Sequence, residues 1–137
     1  MRRLLILTII VFAGCPLTRV ETDYGGNGDF IIQNRSRKLI RVEISKVLHL
    51  GGDIDTSEII QPDSSKTIFS DAIIGSNVTP QKSLTGMRIY NDSIGTLSLL
   101  YSQKPIEESK WIIEKRYSGD FGYTKNTFAF YDSLITR

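Results

Sequence analysis

Leu39-Ile40-Arg41-Val42-Glu43-Ile44-Ser45-Lys46-Val47-Leu48 is the stretch that decides the fold. Ile40, Val42 and Ile44 fall on one side of an extended chain, and Arg41, Glu43 and Ser45 fall on the other. Side chains alternate across a strand with a period of two, so this segment reads as a strand with one face on a core and one in water. The same grammar recurs on both sides of it. Upstream, Phe30-Ile31-Ile32-Gln33 is a short strand that stops at Asn34-Arg35-Ser36. Downstream, Gly51-Gly52-Asp53 breaks the run, Glu58-Ile59-Ile60-Gln61 is a second strand, and Pro62-Asp63-Ser64-Ser65 is a strong turn before Lys66-Thr67-Ile68-Phe69. Residues 84–90, the turn Asn91-Asp92-Ser93-Ile94-Gly95 and residues 96–101 have the pattern of a hairpin. Trp111, Ile113 and Tyr117 alternate before the turn at residues 118–122, and Phe128 and Phe130 alternate in a last strand near residues 123–131.

Helical periodicity is confined to residues 105–115. There Pro105 can begin a helix and Glu107 can pair with Lys110 one turn later, which gives one short helix or turn near residues 105–110. Seven or eight short strands with frequent turns specify an all-β domain over residues 29–137, an antiparallel two-sheet β-sandwich. The chain of 137 residues suits one domain. Its 40% hydrophobic and 23% charged residues are those of a globular protein. One Cys (Cys15) excludes a disulfide within the chain, and with one His (His49) it leaves too few soft ligands for a structural zinc site.

The beginning of the chain has a different character. Arg2 and Arg3 precede residues 4–13, which are apolar except for Thr8, and Ala13-Gly14-Cys15 follows. A positive start, a short apolar run and small residues are the marks of an export signal, and the run is too short to span a bilayer. The junction Phe12-Ala13-Gly14-Cys15 resembles the lipobox of bacterial lipoproteins. The resemblance implies that residues 1–14 are a signal peptide that is removed and that Cys15 carries the lipid (palmitate among its acyl chains). Such a protein is held at a membrane of the cell envelope. One acyl chain anchors only marginally and two or more hold firmly, at about 0.8 kcal/mol per buried methylene. The alternative is an ordinary signal peptide cut after Ala13.

Loss of Arg2 and Arg3 would turn 17 basic and 15 acidic side chains into equal numbers of each sign. That balance removes the electrostatic case for nucleic acid as a partner. Residues 15–28 end in Gly25-Gly26-Asn27-Gly28 and read as a flexible tether between lipid and domain. The same glycines lack the Lys and Ser/Thr of a phosphate-binding loop.

Further downstream, Asn34-x-Ser36-x-x-Leu39-Ile40-x-Val42 and Ile60-x-Pro62-x-x-Ser65-x-x-Ile68 resemble the first strands of immunoglobulin-like domains in exported bacterial proteins. The resemblance implies an immunoglobulin-like sandwich without the Cys pair of true immunoglobulin domains. Asp92-Ser93-Ile94 and Asp132-Ser133-Leu134 resemble the O-glycosylation signal of exported Bacteroidota proteins, which would make Ser93 and Ser133 acceptors. In lipoproteins of that group, acidic residues soon after the Cys accompany surface display. Residues 16–20 have none, which points to the periplasmic face of the outer membrane.

Candidate chemistry is sparse. His49 is the one side chain that titrates near neutrality, and no Gly-x-Ser-x-Gly accompanies it, so it reads as a loop residue. Asp53, Asp55, Ser57 and Glu58 read as an acidic loop. It could hold calcium weakly, but Glu58 and Ser64 stand where the EF-hand pattern needs Gly and Glu. Glu107 and Glu108 are adjacent, which on a strand sends them to opposite faces, and they read as a charged turn. Trp111, Tyr117, Phe121 and Tyr123 surround the 119–122 turn. They could form a ligand platform, or Trp111 and Tyr117 could fill the core while Phe121 and Tyr123 cap it. The expectation is a non-catalytic, lipid-anchored protein with no cofactor and no metal, offering a sandwich to an unknown protein or glycan. Carbohydrate binding through the four aromatics is the second reading, and a small hydrolase the third.

Overall fold

The computed structural model describes residues 25–47, 53–93, 96–116 and 122–135. Among these residues eight strands follow one another: β1 (Gly25–Asn34), β2 (Ile40–Val47), β3 (Asp53–Ile60), β4 (Ser65–Ile74), β5 (Leu84–Ser93), β6 (Thr96–Gln103), β7 (Ile112–Arg116) and β8 (Tyr123–Phe130). They form two four-stranded sheets, ordered β4-β1-β8-β7 and β3-β2-β5-β6. The all-β sandwich expected from the alternation is the fold that forms. One strand pairing departs from the expected antiparallel arrangement, because β1 lies parallel to β8, with Phe30 beside Asn126 and Ile32 beside Phe128. Alternation shows that a strand exists but carries no record of its neighbour. Here the first and last strands meet in the middle of one sheet.

The alternation of β2 maps onto burial as read: Ile40, Val42 and Ile44 have no exposed surface, and Arg41, Glu43 and Ser45 are partly exposed. In register, Val42 meets Ile89 and Ile44 meets Met87 of β5, while Ile40 meets Ile60 of β3. The facing sheet contributes Phe30, Ile32, Phe128 and Phe130. Aromatic rings run through this core. Phe69 stacks on Phe30 at 4.4 Å, Trp111 stands edge-on to Phe30 at 6.1 Å, and Trp111 and Tyr101 each contact Phe128. Burying an indole and a phenol leaves polar tips that need partners. Gln103 serves both: its Oε1 accepts from Trp111 Nε1 at 3.2 Å, and its Nε2 donates to the Tyr101 hydroxyl at 2.9 Å.

Asn34 ties the two sheets together at one end. Fully buried, it donates from Nδ2 to the carbonyls of Lys38 (2.7 Å), Ile60 (3.1 Å) and Gln61 (3.1 Å). Its Oδ1 accepts from Ser36 Oγ at 2.7 Å and from the Ser36 amide at 3.1 Å. The β1–β2 connection is thereby pinned to the turn that carries the chain from β3 into β4. That turn has Pro62 at its second position and Asp63 in the left-handed region (φ 53°), closed by the Ser64 amide donating to Gln61 O. These are the features of a type II turn, in which Asp stands in for the usual Gly or Asn. Beside it Lys66 on β4 pairs with Glu58 on β3 at 2.6 Å, across the two sheet edges.

Gly25-Gly26-Asn27-Gly28, read as the end of a tether, belongs to β1, with Gly28 opposite Asp71 of β4 and Thr124 of β8. The glycines serve close approach rather than flexibility. A Cβ on Gly26 would collide with the Ser76 carbonyl, and one on Gly28 would sit 2.5 Å from Thr124 Oγ1 and 2.7 Å from Val78 Cγ1. The segment after β4 tucks under β1 in the space they leave. Gly26 N donates to Ser76 O, Val78 is wholly buried, and Thr124 Oγ1 donates to Val78 O at 2.7 Å. Gly28→Ala is therefore expected to destabilise the domain by about 1–3 kcal/mol despite the better strand propensity of Ala. Urea unfolding measures this, and combining the change with Val78→Ala should cost less than the sum of the two single losses.

The short helix or turn expected near residues 105–110 is a 3-10 turn over Glu108–Lys110, which stops there because Trp111 must return to the core and β7 begins at once; the Glu107–Lys110 pair forms, at 3.1 Å. Among the described residues one α-helical turn, α1 (Pro80–Ser83), lies between β4 and β5, with Pro at its start. The stretch from Asp53, read as an acidic loop, is the body of β3.

Candidate interaction surfaces

Cys15, His49, Tyr117 and Phe121 lie outside the described residues. Of the remaining aromatics in the proposed platform, Trp111 is only 6% exposed, and Phe30 and Phe128 pack against its indole. An exposed stacking platform therefore cannot include Trp111. Ser93 is exposed at the end of β5, where its Oγ accepts from Asn91 Nδ2 at 2.9 Å, and Ser133 is exposed in the 3-10 turn Asp132–Leu134. On β3, Asp55 accepts from Ser45 Oγ at 2.7 Å on the outer face of the sheet, and Glu58 turns the opposite way to Lys66. Among the described residues no three His, Cys, Asp or Glu side chains come together as a metal site would need. Glu107 is exposed and paired with Lys110, while Glu108 Oε1 accepts from the Gln81 amide at 3.3 Å.

Tyr123 occupies the outer face of the β4-β1-β8-β7 sheet, half-buried beside Asp29. Asp29 sits at the centre of a shallow depression bordered by Asn27, Ser70, Asp71 and Tyr123. Its carboxylate accepts hydrogen bonds from the Ser70 hydroxyl and, at 2.6 Å, from the Tyr123 hydroxyl. Hydrogen bonds to the charged form favour ionisation, so the Ser70 and Tyr123 hydroxyls hold the Asp29 carboxyl below the usual carboxylate range. The same bond to Asp29, with some burial, raises the Tyr123 phenol above its ordinary value. At neutral pH the pair is a carboxylate and a neutral phenol, a fixed acceptor and donor facing each other. Sequence reading missed this pair because its partners stand 94 positions apart.

The outer face of the other sheet carries a row across all four strands: Ile59, Arg41, Tyr90 and Leu99 are successive register partners. Arg41 is tied to Asp92 at 3.0 Å and Glu43 to Arg88 at 3.6 Å, so these four charges are matched within the sheet. Ile59, Leu97 and Leu99 are about half exposed, at 45%, 49% and 54%. The signal for this row lay in Leu97-Ser98-Leu99-Leu100, where apolar residues exceed what one face of a strand can bury.

No protein-family model matches the chain, and no curated protein matches it in sequence. Among the described residues no helix is long and apolar enough to cross a membrane.

Proposed function

We propose that this chain is a lipid-anchored protein of the cell envelope, presenting a non-catalytic β-sandwich for binding or assembly. The observation that carries the reading is the junction Phe12-Ala13-Gly14-Cys15 at the end of a short apolar run. In this reading residues 1–14 are removed, Cys15 is acylated, and the mature side chains carry no net charge. Its place is the outer membrane, on the periplasmic face. Gly25–Gly28 lie in β1, so the link between lipid and domain ends no later than residue 24 and reaches at most about 35 Å at full extension. Support also comes from the kind of body attached. A packed sandwich is a rigid scaffold, and its open strand edges accept added strands.

The mass of the intact protein, isolated from native membranes, tests the reading. The expected result is an N-terminal Cys15 bearing acyl chains, extracted only with detergent. Cys15→Ser should move the protein from the membrane pellet to the soluble extract. A water-soluble native protein with an unmodified Cys15 thiol would overturn it.

A further inference from the structure

We infer that β6 is a self-pairing edge. It adds antiparallel to β6 of a second copy of this chain, centred on Ser98, and joins two four-stranded sheets into one of eight. This inference stands on the edge strand and is independent of the lipid anchor.

The four edge strands differ in one respect. Exposed edges offer unpaired backbone groups to any other strand, and proteins protect them with charge, Pro or short length. β3 carries Asp53, Asp55 and Glu58, β4 carries Lys66 and Asp71, and β7 carries Glu114, Lys115 and Arg116. β6 reads Thr96-Leu97-Ser98-Leu99-Leu100-Tyr101-Ser102-Gln103, eight residues with no charge and no Pro. Among the described residues no strand pairs with its outer side. An edge left without protection is one that is meant to be covered.

The strand complements itself. Directly opposite residues of an antiparallel pair share a face. With Ser98 on the two-fold axis, Leu97 of each copy meets Leu99 of the other on the outer face, where both side chains stand about half exposed, at 49% and 54%. The resulting cluster is continuous with Tyr90, the register partner of Leu99. Self-pairing of a charged edge sets like charges against each other, as β3 would do with its acids; β6 has none to oppose. The nearest charges on that face, Arg41 with Asp92 and Arg88 with Glu43, are already matched within each copy. The contact is isologous and closes as a dimer.

A cysteine at position 98 tests this in the full chain. Cα atoms across an antiparallel pair are about 4.5–5.5 Å apart, which a disulfide can bridge. Ser98→Cys is expected to give, on mild oxidation in membranes or detergent, at least tenfold more covalent dimer than the wild-type chain. The wild type reports any bridge through Cys15, the sole native cysteine. It should also exceed Lys115→Cys on the β7 edge by the same factor. Adding Leu97→Lys and Leu99→Lys should cut the dimer at least tenfold. All four sites are exposed, and circular dichroism with a thermal melt checks that the fold is kept. Ser98→Cys dimer no greater than in the controls overturns the inference. So does a cross-linked product of some other mass, which would identify a foreign strand, or a dimer that the two lysines leave intact.

Discussion

Asn34→Ala is expected to remove about 3–5 kcal/mol of stability, a large part of the roughly 5–15 kcal/mol that a domain of this size has. The side chain is completely buried and satisfies three carbonyls while holding Ser36 in place. An intact hydrogen bond contributes about 1 kcal/mol net, but a buried partner left without one costs about 1–3 kcal/mol. The Ile60 carbonyl bears most of this, because its bond to Asn34 is the buried one, whereas the Lys38 and Gln61 carbonyls are nearer to water. Urea unfolding followed by Trp111 fluorescence measures the loss, since Trp111 is the only tryptophan and lies in the core. A loss below about 1 kcal/mol would show that water replaces the amide easily.

Asn34→Asp gives the same site a pH dependence. Its carboxylate would face three carbonyl oxygens, so burial and repulsion should raise its folded pKa above the unfolded value of about 3.9. Below that value both states hold the proton and the variant is at its most stable. As pH rises toward the folded pKa, the unfolded state ionises first and stability falls. Asn34 itself should show no such slope between pH 4 and 7.

Phe30→Ala is the second large effect, expected at about 3–5 kcal/mol. Phe30 is wholly buried in the middle of β1, stacked on Phe69 at 4.4 Å with rings 6° from parallel, and met edge-on by Trp111 at 6.1 Å. Deleting the ring removes its transfer free energy and leaves a cavity, because neighbours from both sheets cannot all move inward. Lys46 Nζ lies over the Phe69 ring, 4.0 Å from the centroid, a cation–π contact that Phe69 would weaken by moving into the space. Phe30→Leu, closer in volume, should cost about 1–1.5 kcal/mol. A shift in Trp111 emission in the folded Ala variant would report the opened space. A loss as small as that of Leu would mean the core collapses onto the vacancy.

Much of this was legible in residue patterns. The face assignment of β2 follows from strict alternation, and the turn at Pro62-Asp63 follows from residues that preset φ and tolerate a left-handed conformation. Asn34-x-Ser36 was visible as a pattern, but its role was not, because two of the three carbonyls it holds lie 26 and 27 positions away. Gly25–Gly28 misled for a definite reason. Glycine raises chain freedom and also lowers bulk, and only the presence of Val78 and Ser76 beneath β1 shows that bulk is what matters. Asp53, Asp55 and Ser57 look like a loop by composition. Their pairing with Val47, Ser45 and Glu43 keeps them in a strand, and Asp55 stands on its outer face beside Ser45. By sequence Trp111 suits a platform or the core, and the Phe30 ring and the side-chain carbonyl of Gln103 decide for the interior.

The amino-acid order alone determined most of the strands, their inward faces and the turns that separate them, though not the first residues of β1 and β3, since each depends on residues two to four positions apart. It also contains the uncharged run of β6 and the Phe12–Cys15 junction in plain view. Only the tertiary structure decided that β1 lies parallel to β8, that Asp29 meets Tyr123, and that β6 stands at an edge. Those are relations between distant residues. They arise when two sheets close over a common core, and no local periodicity records which strands become neighbours.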